Sequence, residues 1–150
     1  MGAATDISNG IRDVLLAAPL GLSYSTGAPA DGTTPIFMKN VPAAPDRIVV
    51  ISVVPVSDDL SSPSGQVFVQ IRVRGSVNDA LDADDLADSI KPYLHGLKGL
   101  TWGTVQLVQM FRNNAVPLGQ DTAKRWERAD MFTLDVEYQP TPLVPIGGTY

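Results

Sequence analysis

The stretch "QVFVQIRVRGS", Gln66–Ser76, alternates apolar and polar residues. A period of two is the signature of a strand with one buried face. Val67, Val69, Ile71 and Val73 form the inward row, and Gln70, Arg72 and Arg74 the outward one. Just before it, "DRIVVISVVPV" (Asp46–Val56) is apolar on both faces between Ile48 and Val54. That pattern predicts a core strand with cover on both sides. The segment "SDDLSSPSG" between the two reads as a turn, so the pair is predicted to be an antiparallel hairpin.

Outward from this hairpin, two helices are predicted. Ile7, Ile11, Val14, Leu15 and Ala18 recur at helical spacing near the start. Thr5 or Asp6 is placed to cap that helix, and Pro19 and Gly21 to end it. Gly10 inside it costs about 1 kcal/mol relative to alanine, so the helix needs a tertiary partner. The second helix, "DADDLADSIKPYL", has Ala83, Leu86, Ala87, Ile90, Tyr93, Leu94 and then Leu97 on its apolar face. Asp82 is a candidate N-cap, and Asp84 and Asp85 sit where the helix dipole favours negative charge. Gly96 suits the position after the helix, and Pro92 is expected to kink the helix or start a separate final turn.

Two more strands follow, "TVQLVQMF" and "DMFTLDVEY", separated by "RNNAVPLGQDTAKR", which reads as a polar loop. Residues 20–45 are rich in Gly, Pro, Ser and Thr and read as a long loop containing a short extended piece, "IFMKNV". The predicted fold is therefore α+β: an α-β-β-α-β-β order, a four-stranded sheet with both helices packed on one face. The single domain spans residues 1–138. Residues 139–150, "QPTPLVPIGGTY", read as a proline-rich C-terminal arm.

The 150-residue chain carries a formal charge of −5, is 44% hydrophobic and 18% charged, and contains no cysteine. That excludes disulfides and thiolate metal sites, and an acidic balance is unusual for a freestanding nucleic-acid binder. No apolar run approaches a membrane span, and the start, "MGAATDISNGIRD", does not read as a signal peptide. A soluble protein made in the cytoplasm is expected. No catalytic motif stands out, and neither a cofactor nor a metal site is expected. His95 reads as a helix-end residue. The cluster Asp82, Asp84, Asp85 and Asp88 lacks the ligand spacing and glycine of a calcium loop.

Two charged features remain. Arg72 and Arg74 alternate as Asp135 and Glu137 do, so cross-strand ion pairs are one reading. Exposed pairs contribute only about 0–1 kcal/mol each, which makes stability alone a weak reason for them. The segment "KRWER", Lys124–Arg128, reads as a nucleic-acid clamp, as a loop anchored by Trp126 whose Lys124, Arg125 and Arg128 are solvated or meet acidic partners, or as a protein interface, where Trp and Arg are enriched.

Three blocks together resemble the tail terminator proteins of long-tailed bacteriophages, in particular those of actinobacterial phages labelled minor capsid proteins. They are "APDRIVVI", "VQIRVRGSVNDALDADDLADSIKPYLHGL" and "AVPLGQDTAKRWERADMFTLDV", roughly the last two-thirds of the chain. The resemblance implies a structural virion protein rather than an enzyme. It implies a ring, usually a hexamer, that caps the tail tube, stops its growth and presents a surface to the head's connector proteins. Its expected partners are further copies of itself, the tail tube protein and a head–tail connector. DNA would pass through the lumen without specific binding, and the protein would sit at the neck of the virion. A head-completion stopper and a small nucleic-acid-binding module are the alternatives. On this reading the interface candidates are Arg72, Arg74, Asp84, Asp85, Asp88, Arg112, Arg125, Trp126, Arg128, Asp135 and Glu137, with Leu143 and Ile146 anchoring the arm. Arg72 and Arg74 would pair with Asp135 and Glu137 in one subunit, or with Asp84, Asp85 and Asp88 of the next.

Overall fold

The computed structural model describes residues 2–25, 32–58 and 64–138, with 55–58 described by backbone alone. Helix α1 spans Ala3–Ala17 and α2 spans Asp82–Leu94. Seven strands accompany them: β1 (Leu22–Ser23), β2 (Thr34–Met38), β3 (Ile48–Asp58), β4 (Ser64–Val77), β5 (Lys98–Trp102), β6 (Val105–Gln120) and β7 (Arg125–Tyr138). They form one mixed sheet in the order β1-β2-β3-β4-β7-β6-β5. β1, β2 and β3 run parallel to one another, and every other pairing is antiparallel.

The mixed α/β class and the two helices agree with the sequence reading, and the hairpin β3–β4 forms as predicted, with Ile51 opposite Ile71. The strand count is corrected from four to seven. β1, β2 and β5 are additions; the extended piece near "IFMKNV" is β2. The larger correction concerns "RNNAVPLGQDTAKR". Rather than a polar loop, residues 112–120 continue β6 and pair with β7 as far as Gln120 opposite Trp126. Only residues 121–124 turn, closed by hydrogen bonds from Lys124 N to Asp121 O and from Asp121 N to Arg125 O.

One face of the sheet carries the core. Val49, Ile51, Val69, Ile71, Phe132 and Leu134 meet Ile7, Ile11 and Leu15 of α1 and Leu86, Ile90 and Leu94 of α2. Burying each such side chain contributes about 1.5–3 kcal/mol before the entropy of ordering it. Gly10 has the tertiary partner its position demands: its missing side chain lets the Trp102 indole lie directly on the α1 backbone. Asp6 does not cap α1, which starts from Gly2. Its carboxylate instead accepts hydrogen bonds from Thr104 N (3.0 Å) and Oγ1 (2.8 Å), tying the helix to the β5–β6 turn. Those two bonds, the main-chain one foremost, hold the Asp6 pKa below its usual value.

At the far end of α2, Gly96 takes the left-handed φ of 88° that ends a helix readily. Its N–H reaches Met110 O at 2.8 Å, locking the helix exit onto β6. Pro92 is accommodated within α2, whose span runs to Leu94. Asp82 is the first residue of the helix rather than its cap.

Candidate functional site

Among the described residues the opposite face of the sheet carries no helix, and strand register arranges it in rows. Arg74 lies opposite Ile48 and Glu127, Arg72 opposite Val50 and Ala129, Gln70 opposite Ser52 and Met131, and Phe68 opposite Val54 and Thr133. Phe111 of β6 continues the last row beside Thr133. Two faces, one apolar and one mixed, follow from the alternation along Gln66–Ser76.

The arginine rows do not meet Asp135 and Glu137, because those acids lie at the other end of β4, opposite Gln66 and Ser64. The partner of Arg72 is Glu127, with Nε and Nη2 at 3.0 and 2.9 Å from its Oε1. Asp135 accepts from Gln109 Nε2 at 2.7 Å. Nor is Arg74 open to solvent: it is 3% exposed. It donates to the main-chain carbonyls of Asp46 (2.8 Å) and Pro45 (2.6 Å). Burial, and then the neighbouring Arg125, lower the Arg74 pKa. Arg125, on the same face, donates to Ala43 O (2.6 Å) and Asp121 (2.9 Å) and reaches Asp46 at 3.3 Å. These two guanidiniums draw the segment 43–46 across one end of the face, where Ile48 and Val50 are also buried.

Arg128 belongs to the helix-bearing face. It donates to Asp130 (2.7 Å) and Asp88 (2.9 Å) and reaches Asp84 at 3.4 Å. The Asp84 and Asp88 carboxylates of α2 are therefore engaged by their own chain's β7. Burial opposes the Arg128 charge, but the bonds to Asp130 and Asp88 outweigh it and raise its pKa. Arg112 joins from β6, 3.4 Å from Asp130, while its main-chain N–H donates to His95 Nδ1 at 3.0 Å. Asp85 is exposed, and Trp126, two residues before Arg128 on β7 and opposite Gln120, is 37% exposed. The "KRWER" segment is thus the start of a strand whose arginines are tied to acids. Leu143 and Ile146 lie outside the described residues.

Sequence reasoning missed Glu127, Asp130, Asp121 and Asp46 as partners, since each needs the strand register to be known. It also missed Arg47, which bonds Asp82 (3.1 Å) and Thr34 Oγ1 (2.7 Å) and so joins β2, β3 and α2. Asp82 in turn accepts from Ser76 N and Oγ. Burial opposes its charge, but these bonds prevail and lower its pKa.

Among the described residues, every buried side-chain polar atom has a hydrogen-bond partner. No three acids or histidines among them converge as metal ligands. What the arrangement offers is surface: a second sheet face covered at one end by segment 43–46, an acidic helix start, and a long sheet edge along β6.

The comparisons accord with that. Among curated proteins, none matches this chain. In fold the chain is similar to a component of the "virion of native gene transfer agent (GTA) particle", with a TM-score of 0.62 and 16% identity. The likeness covers 91% of this chain and 99% of that one. The sequence matches the family described as bacteriophage tail terminator protein over residues 8–138, which takes in all seven strands, α2 and most of α1. The chain belongs to the bacteriophage tail terminator family, a family of structural tail proteins.

Proposed function

We propose that copies of this chain close into a ring, six in number, that caps the tail tube, ends its elongation and offers the surface on which the head is joined. The family match over residues 8–138 carries this reading. The fold supports it physically. A ring contact is head-to-tail, so each subunit must present two unlike surfaces. The sheet ends in two unlike edges, one at β1 and β2 and the other at β5 and β6. The groups placed at contacts with the next copy, the tail tube protein or a head–tail connector are Arg72, Asp84, Asp85, Asp88, Trp126, Asp135 and Glu137, with Leu143 and Ile146 of the arm. Arg74, Arg112, Arg125 and Arg128 act from beneath: Arg74 and Arg125 fix segment 43–46, Arg128 holds Asp84 and Asp88 of α2, and Arg112 supports Asp130. The site of action is the neck of the virion, after synthesis in the host cytoplasm.

DNA passes through such a ring. Six copies carry a formal charge of 6 × −5 = −30. Strong phosphate binding needs free Lys and Arg, and five arginines of the sheet, Arg72, Arg74, Arg112, Arg125 and Arg128, have partners in their own chain. The test is polymerisation of the tail tube protein in vitro with and without this chain. Tubes capped at one end that stop growing support the proposal. Tubes whose ends are neither bound nor blocked contradict it, and capture by the portal side alone would make the chain a stopper.

A further inference from the structure

The outer edge of β6 is covered for only part of its length. β5 pairs with residues 105–109. Met110 then exchanges hydrogen bonds with Gly96 and Leu97, and Arg112 N donates to His95. Beyond that, among the described residues, no main-chain hydrogen bond closes the outer edge of residues 113–120. Seven of these eight residues are exposed and none is charged. Val116 and Leu118 are 40% and 43% exposed. Sheet edges left in solvent are ordinarily blunted with charge, lysine above all. This edge carries instead Pro117 and two bulges, at Arg112/Asn114 and Pro117/Gly119. Bulges and a proline spoil continuous pairing with a long regular strand, including the same edge of a second copy. A short extended segment is still accepted.

The sequence offers a candidate in its proline-rich arm. Residues 139–150, "QPTPLVPIGGTY", also carry no charged side chain, and they include Leu143, Val144 and Ile146. We infer that the free edge of β6, residues 113–120, receives the C-terminal segment of a neighbouring copy as an added strand. The inference rests on the ring reading and names the acceptor surface within it.

Geometry argues against the same copy supplying the segment. Tyr138 lies opposite Val105, at the far end of β6. At about 3.3 Å per residue, Asn113 is roughly 26 Å further along β6 and Gln120 roughly 50 Å. Twelve residues span at most about 40 Å when fully extended. The chain also leaves β7 heading away from the free edge, and β5 occupies the edge between. A segment that reversed and skirted β5 would run out before covering residues 113–120. In a head-to-tail ring the neighbour's exit can lie beside the edge, and proline-stiffened residues lose less entropy on docking than flexible ones.

The absence of cysteine makes the test clean. Copies carrying Val116→Cys alone are mixed with copies carrying Ile146→Cys alone, assembled, and treated with a short bis-maleimide. Copies carrying Ser89→Cys, on the exposed surface of α2, replace the Val116→Cys copies in the control. The expected result is a dimer-sized product between positions 116 and 146 of different copies, absent from the control. Full-length Ala115→Lys/Leu118→Lys, which adds charge to the edge, is expected to abolish cross-linking of an added Val116→Cys to position 146. Rings that form without the 116–146 product, or with equal product in the control, overturn the inference and leave the ring standing. Failure of the full-length protein to form rings under any condition removes the ring reading, and the inference with it.

Discussion

Replacing Arg128 with methionine removes the centre of the ion cluster while keeping most of the side chain's volume. Arg128 is 8% exposed and its partner Asp130 only 2%. Two losses follow, of different size. Asp88 and Asp84 have side chains 64% and 51% exposed, so water takes over from the guanidinium and each lost contact costs about 1 kcal/mol or less. Asp130 suffers more, because water does not reach it. It keeps only the longer, 3.4 Å contact to Arg112. A buried charge stripped of its partner costs about 3–5 kcal/mol, and the remaining contact to Arg112 moves the value to the lower end. Arg128→Met is therefore expected to cost about 3 kcal/mol, or a Tm drop of about 6–12 °C for a chain of this size. Urea unfolding with an unchanged m-value measures the first and calorimetry the second. Removing both charges, as Arg128→Met/Asp130→Leu, is expected to recover stability to within about 1 kcal/mol of the native chain, since an ion pair replaced whole by apolar groups is often neutral. A single variant costing less than about 1 kcal/mol, or a double variant no better than the single, refutes the view that the cluster is held by mutual compensation.

Gly10→Ala sets helix propensity against packing: alanine contributes about 1 kcal/mol, but its methyl group collides with the Trp102 indole. Overpacking of about 1–3 kcal/mol is expected to win, so the urea midpoint falls and the near-UV signal of Trp102 changes. For acid sensitivity, Asp82, Asp6 and Asp121 have folded-state pKa values below the ordinary 3.8. Their contribution is present above the unfolded value and is lost as pH falls through the folded one. Stability is thus expected to drop below about pH 4, and Asp82→Asn to flatten that slope in urea titrations between about pH 5 and 2. Arg72→Glu sets two acids together at Glu127 and is expected to block ring assembly while costing about 1 kcal/mol of fold stability. Arg72→Glu/Glu127→Arg restores that stability, as read by unfolding midpoints.

Three strands were legible in the sequence: β3 from its continuous apolar run, and β4 and the second half of β7 from unbroken alternation. So was α2, where apolar spacing, early aspartates and Gly96 agree. The second half of β6 was hidden because bulges at Arg112/Asn114 and Pro117/Gly119 shift the period of two, and because Pro117 and Gly119 imitate a loop. β1 and β2 sit in Gly- and Pro-rich sequence and are stabilised by pairing, β2 with β3 and β1 with β2, rather than by their own pattern. The charged residues were recognisable as a group, but their pairing depends on register. A strand offset of a few residues separates Asp135 from Arg72 and places Glu127 there instead, and no local pattern encodes that offset. Arg128 points the same lesson: its position on the helix-bearing face becomes clear only once β7 is known to begin at Arg125.

The most direct measurement is cryo-electron microscopy of tail tubes assembled with this protein, imaged at both ends. One closed ring of six copies on one end of each tube, with the tube no longer growing from that end, is the expected result. Protein decorating the tube wall, both ends alike, or no tube end at all would contradict a tail-terminating ring.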